Sequence, residues 1–409
     1  MRSMQARGLP WALALGGWLV SACGSDGSPP PDAAGEVKIG LLLSYSGYLA
    51  TNSVNSERAV LLAVEAARER PDAFGGRSLR VLSQDTRSDV REVVGKARDL
   101  IDRGSAVILG PDTIDLVTAL RSLLQDRTVV LPSYATASDV EFKPPSWFVM
   151  GPATKRIACE IVARLHSDGH KNPLLIVNPT GYNSFLSWVL ANTYGMPKHV
   201  LPTEEAPTVA EVRPIAMAGA DAYVLAAFPT SASPLVLALS TVGGLGDSRS
   251  WYLSPTLHTP AFLESIPQGM LVGARGVSGG TVAGAGDFRT RFRERWHDDP
   301  LDDAYPFYDA AAVSLLALGR AIARDAAIPT GTGLSPHLRA VTRPGGELIT
   351  WNELSRGIEL LRQGTEVTYI GLSGSLEFDE VGQTRSAATR WWTIDAQGFT
   401  DVENQSDCR

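Results

Sequence analysis

Val37-Lys38-Ile39-Gly40-Leu41-Leu42-Leu43 is a short, nearly continuous apolar run. Without alternation over this length, the run reads as a strand buried on both faces, the kind found inside parallel sheets. A loop over residues 44–50 follows. Ala59, Leu62, Ala63, Ala66 and Ala67 then recur at helical spacing, with Glu57, Arg58, Glu65 and Arg68 among the polar positions. A doubly buried strand feeding an amphipathic helix is the first half of a βαβ unit. Downstream the alternation continues: strands over 79–82, 106–109 and 129–131, with helices over 90–103 and 115–125. Strands separated by helices of this length demand right-handed crossovers and a parallel sheet.

A second series begins after Gly151-Pro152, with helices over 155–167, 185–193 and 233–241 and strands over 174–177, 223–228 and 251–254. A long Ala- and Leu-rich helix over 307–324 and a shorter one over 351–362 come later. Two such series predict an α/β protein of two doubly wound parallel-sheet lobes. The length of 409 residues suits this, since one core rarely grows so large. With 37 Lys+Arg against 44 Asp+Glu the formal net charge is −7, and no basic stripe interrupts the mixed charges. That balance argues against nucleic acid as a partner.

The N-terminus has the order of an export signal. Arg2 and Arg7 precede an apolar stretch over 9–20, and Ser21-Ala22 supplies small residues before Cys23. Residues 1–22 are expected to be the signal peptide. Residues 23–35, rich in Gly, Ser, Pro and Asp, are expected to form a disordered tether. Val20-Ser21-Ala22-Cys23 resembles the bacterial lipobox, which implies lipidation of the Cys23 thiol; an ordinary cleaved signal is the plainer alternative. Each methylene of such a lipid adds about 0.8 kcal/mol of membrane affinity. The remaining Cys159 and Cys408 either pair in an oxidising compartment or stay as two free thiols; spacing alone leaves both open.

Several segments, in order, resemble the branched-chain amino-acid binding proteins, the type I periplasmic binding family that serves ABC importers. They are residues 37–46 with Ala63-Val64-Glu65-Ala66-Ala67, then Gly110-Pro111, then Leu131-Pro132-Ser133-Tyr134-Ala135-Thr136. Tyr308-Asp309-Ala310-Ala311 and Gly374-Ser375-Leu376-Glu377-Phe378-Asp379 with Gly382 complete the set. The resemblance spans residues 37–394. It implies a hinge of three crossings, with residues 36–152 plus 278–386 in the N-lobe and 153–277 plus 387–409 in the C-lobe. It also implies a monomer in the cell envelope, held at the membrane by its lipid alone, that hands a small-molecule ligand to ABC permease subunits. No cofactor, metal or catalytic residue is implied.

In open parallel sheets, ligands sit beyond the carboxyl ends of the strands. Two N-lobe loops fit, carrying Asp112 and Thr113 after one strand and Tyr134, Ala135 and Thr136 after the next. Helix capping is the competing role for Asp112, Thr113 and Thr136. From the C-lobe, Tyr182 and Phe228 stand where the family places aromatic walls, with core packing as the alternative. Asn52 falls in the first strand-to-helix loop, where a turn role competes. Two positions depart from amino-acid binders: Ile114 replaces a hydroxyl residue, and Thr256 stands where an acidic residue would meet an ammonium group. Asp112 could replace that acid, and His258 could meet a polar or anionic ligand. A branched-chain amino acid is therefore not the expected ligand.

The chain has no GxxxxGK[ST] and no zinc-spaced Cys/His cluster. Gly279-Gly280 and Gly284-x-Gly286 read as a flexible loop. Solute capture, of an amino-acid-like or other carboxylate-bearing molecule, is the leading expectation. The alternative is an envelope lipoprotein of the same fold that senses a state or regulates a cell-wall enzyme by contact. A hydrolase in the cleft is a third reading, with no nucleophile and base assigned to it.

Overall fold

A computed structural model describes residues 35–47, 49–125, 131–133, 144–201, 206–282, 284–402 and 408. The signal, the tether, Cys23, Tyr134, Ala135 and Thr136 lie outside them.

The chain opens with β1 (Glu36–Leu43), α1 (Ala50–Arg68), β2 (Ser78–Asp85), α2 (Val93–Asp102) and β3 (Ser105–Leu109). These strands pair in parallel in the order β2-β1-β3. The apolar run is central, and Val37, Ile39, Leu41, Leu42 and Leu43 are all fully buried, because helices cover both faces. After β3 come α3 (Ile114–Ala119) and α4 (Arg121–Gln125), two short helices where the sequence predicts one, and then the parallel pair β4 (Leu131–Ser133) and β5 (Trp147–Val149).

The chain next builds α5 (Thr154–Ser167), β6 (Pro173–Val177), α6 (Gly181–Tyr194), β7 (Lys198–Val200), α7 (Val209–Ala216), β8 (Ala222–Ala226), α8 (Pro229–Thr241), β9 (Trp251–Leu253), α9 (Pro260–Glu264) and β10 (Arg275–Gly279). It returns to the first body through α10 (Ala285–Trp296), α11 (Ala304–Asp325), α12 (Ser335–Thr342), β11 (Glu347–Thr350), α13 (Leu354–Arg362), β12 (Val367–Gly371), β13 (Gly374–Phe378) and β14 (Thr384–Ala387). Finally β15 (Thr389–Ile394) and β16 (Phe399–Val402) join the second sheet, whose order is β16-β15-β10-β9-β8-β6-β7. β6 to β10 run parallel, while β15 and β16 are antiparallel additions. The chain thus passes between two parallel-sheet lobes three times, after β5, after β10 and after β14.

α11 is long and apolar enough to span a membrane, but it is the core helix of the N-lobe, packed against α1, α12 and α13. Asp309 on α11 accepts from Tyr369 Oη at 2.8 Å, Leu372 N at 2.9 Å and Ser373 N at 2.8 Å, tying the helix to the β12–β13 turn. Only glycine fits opposite it, since a Cβ at Gly371 would lie 2.5 Å from Asp309 Oδ2. A disulfide joins Cys159 on α5 to Cys408, so the two cysteines left open by the sequence are bonded.

The segment read as a flexible glycine loop is different in the structure. Gly284, at φ +96°, caps α10, and Gly286 lies inside that helix. Its sequence (Ala-Gly-Asp-Phe-Arg-Thr-Arg-Phe-Arg-Glu-Arg-Trp) buries only Phe288 and Phe292, so the apolar signal is one pair at i, i+4. Asn52 also differs from expectation, lying in the first turn of α1.

Candidate functional site

Between the lobes lies a cavity of about 490 Å³, within the range of small-molecule sites. The N-lobe contributes the start of α1, the β3–α3 connection and residues 298–303 before α11. Opposite them are the start of α6, the β8–α8 turn and the segment around Pro255–Leu257. All of these are ends of parallel strands or the connections leading from them, where side chains of different elements converge.

Gly110 sets the β3 loop. At φ +98°, its missing Cβ would sit 2.3 Å from the Leu42 carbonyl oxygen, so β3 can turn hard against β1 only with glycine here. Two residues on, Asp112 accepts from Ser44 N at 3.2 Å, Ser44 Oγ at 3.0 Å and Ser53 Oγ at 2.8 Å. Burial pushes this carboxyl up despite those hydrogen bonds. Thr113 precedes α3 but makes no side-chain cap, and its Oγ1 is buried with no hydrogen-bond partner. The residue is 4% exposed and lines the cavity. A buried hydroxyl without a partner costs roughly 1–3 kcal/mol.

α1 presents Asn52 and Asn55 one turn apart. Asn55 donates to the Asp299 carbonyl at 2.8 Å and accepts from Leu301 N at 2.7 Å, fixing the acidic segment over the cavity. Asn52 Nδ2 donates to Asp303 Oδ2 at 2.9 Å. Asp303 makes no cap bond to α11. Burial, with the nearby carboxylates of Asp302 and Asp112, raises its pKa to about 6, against the Asn52 bond. Asp302 has the opposite fate. Burial alone would raise it, but the charges of His258 and Arg390 outweigh that and hold it at about 2. His258 Nδ1 lies 2.7 Å from Asp302 Oδ2, and Arg390 binds Asp302 Oδ1. This cluster joins the lobes, because Asp302 precedes α11 whereas Arg390 is on β15. A second contact has the Asp115 carboxylate of α3 accepting from Gly181 N at the start of α6.

The apolar wall comes from Leu49, Ile157, Tyr182, Phe228 and Pro229. The Tyr182 hydroxyl bonds to Thr154, so its ring faces the cavity with the polar tip satisfied. Phe228 is the residue just before α8, whose first turn begins at Pro229. Thr256 lines the site, yet its Oγ1 donates to the Ala227 carbonyl at 2.7 Å and lies 3.1 Å from Asn183 Oδ1. Its hydroxyl thus holds the C-lobe loops together. His258 is held too, its ring stacked on Trp392 at 4.7 Å between centroids, in addition to the Asp302 contact.

Seven residues singled out from the sequence therefore meet at one cavity: Asn52, Asp112, Thr113, Tyr182, Phe228, Thr256 and His258. Tyr134, Ala135 and Thr136 lie outside the described residues. Sequence reasoning missed Asp302, Asp303 and Asn55. The run Asp298-Asp299-Pro300-Leu301-Asp302-Asp303 before a long apolar helix was the available signal. Among the described residues, no group of three or more His, Cys, Asp or Glu is placed to hold a metal ion.

A family profile described as "Periplasmic binding protein" matches residues 36–345. Comparison with curated protein sequences returns no match. Among solved structures, a leucine-binding protein from Thermotoga maritima superposes with a TM-score of 0.73 at 16% identity, covering 90% of this chain and 98% of its own. A branched-chain amino-acid transporter substrate-binding protein from Streptococcus pneumoniae, in complex with isoleucine, gives 0.70 at 17% identity, covering 90% and 99%. A solute-binding protein from R. palustris in complex with benzoate gives 0.68 at 13% identity, covering 90% and 95%.

Proposed function

The chain belongs to the periplasmic binding protein family, and from that premise we propose that it captures a small solute between its lobes for an ABC importer, without chemical change. The observation that carries this reading is the interlobe cavity of about 490 Å³, bordered by both lobes and containing a buried, unpartnered Thr113 hydroxyl. A buried hydroxyl with no partner in the protein is one that a solute would satisfy. Tyr182 and Phe228 offer the solute apolar faces, and Asn52, Asp112 and Thr113 line its polar side. The similar structures solved with isoleucine or benzoate suggest a solute with a compact apolar body and one polar end.

In this reading the protein works outside the cytoplasm, as the export pattern of residues 1–22 suggests, and is tethered by a lipid on Cys23 through residues 23–35. Its partners are the solute and ABC permease subunits, and it acts as a monomer. Lobe closure on the solute would present a closed shape to the permease. A thermal-shift screen with cationic, zwitterionic, anionic and neutral metabolites tests the proposal. A true solute at a hundred times its Kd adds about 2.7 kcal/mol of stability. No response across all four charge classes would reject solute capture.

A further inference from the structure

Resting on solute capture, we propose that the solute is an organic cation, one ammonium-type nitrogen on an apolar body, with the nitrogen held by Asp303 beside Asp112 and Thr113. The charge inventory of the cavity leads there. Five aspartates line this one space, and three are already neutralised. Asp298 takes Arg58 at 2.6 Å, Asp299 takes Arg289 at 2.9 Å and Arg293 at 2.5 Å, and Asp302 takes His258 and Arg390. Asp112 and Asp303 have no cationic partner; their hydrogen bonds come from serine hydroxyls, a backbone N–H and one amide. Burial raises the proton affinity of Asp303, and the charge of Asp112 adds to it. Two uncompensated carboxylates in one cleft are costly where they are buried, and a protein retains them at lower cost when a bound cation neutralises them.

The other solute charges fit less well. No Lys or Arg is among the described residues lining the cavity, and its histidine, His258, is already paired with Asp302. A carboxylate would enter a negative field without a cation to meet it. A neutral solute would leave the Asp303 carboxylate without a cationic partner. The resemblance to amino-acid binders implies an acidic residue at position 256, on the C-lobe, where this chain has threonine. The compensating acid is instead supplied by the N-lobe, just before α11. Thr113 Oγ1 contributes an acceptor to the same nitrogen, and Leu49, Ile157, Tyr182 and Phe228 cover the body.

Isothermal titration of the whole exported protein at pH 7.5 tests this with matched probes that differ only in charged groups. One set is 3-methylbutylamine, leucine and 4-methylpentanoate; the other is phenethylamine, phenylalanine and 3-phenylpropanoate. The expected result is binding of at least one amine, tenfold or more tighter than its amino acid and its acid, and weakened tenfold or more by Asp303→Asn. Thr113→Val serves as a second variant, expected to weaken the same amine without loss of fold. Equal or better binding of an acid or amino acid, or an amine affinity unchanged in Asp303→Asn, overturns the cation assignment and leaves solute capture standing. Silence from all six probes also overturns it. The four-class thermal-shift screen then decides separately whether any solute is captured.

Discussion

Replacing Asp303 by asparagine should make the empty protein more stable at neutral pH while impairing what it binds. Asp303 is lifted from 3.8 to about 6, first by burial and then by Asp302 and Asp112. The folded protein therefore holds a proton there, between about pH 4 and 6, that the unfolded chain has released. Stability must fall as pH rises through that window, because the native state binds the extra proton. At 1.36 kcal/mol per unit the full cost is about 3 kcal/mol at pH 7.5 and about 1 kcal/mol at pH 4.5. Partial exposure to the cavity reduces both, leaving a pH-dependent difference of about 1–2 kcal/mol. The substitution is mild in other respects. Asp303 makes no cap bond to α11, asparagine is as good a residue at that position, and its amide oxygen can still accept from Asn52. Urea unfolding of both proteins at pH 7.5 and pH 4.5, without solute, is the assay. The variant should be more stable at pH 7.5, with a smaller gain at pH 4.5. A variant equal to or less stable than the parent at both pH values would refute the claim that an uncompensated carboxylate sits in the cleft.

Asp302→Asn should do the reverse, since it strands the His258 and Arg390 groups that hold Asp302. The loss is expected to be about 3–5 kcal/mol by urea unfolding at pH 7, and a loss under 1 kcal/mol would contradict the cluster. Because Asp302 is held at about 2, its stabilisation is in place above about pH 4 and disappears as pH falls through 2. Thr113→Val removes a buried hydroxyl that has no partner, so the empty protein should keep its stability or gain about 1 kcal/mol; a clear destabilisation would mean the hydroxyl is satisfied. Reducing the Cys159–Cys408 bond, which spans 249 residues of sequence, should cost about 2–5 kcal/mol and lower Tm. An unchanged Tm in reductant would show that the C-terminus is not held through it.

Much of the fold was legible because burial on both faces leaves a local trace. β1, β2, β3, β6, β8 and β9 coincide with apolar runs, and α11 with an uninterrupted Ala/Leu stretch. α10 was not legible, since its charged sequence buries two phenylalanines and follows glycines that resemble a loop. In the site, Asp112, Thr113, Tyr182 and Phe228 stand at strand ends, which sequence periodicity locates. Asp302 and Asp303 acquire meaning only from partners far along the chain: His258, 44 residues before Asp302, Arg390, 88 residues after it, and Asn52, 251 residues before Asp303. The burial that drives the two neighbours in opposite directions is a tertiary property. The same holds for Thr256, whose hydroxyl is taken by Ala227 and Asn183.

Native mass spectrometry of the protein, purified without refolding, addresses most directly whether this cleft carries a guest. The account predicts a population heavier than the chain by one small, nitrogen-containing molecule, released intact by acid and much reduced in Asp303→Asn. A protein that runs only at its covalent mass, and gains no adduct when offered an extract of small metabolites, would contradict it.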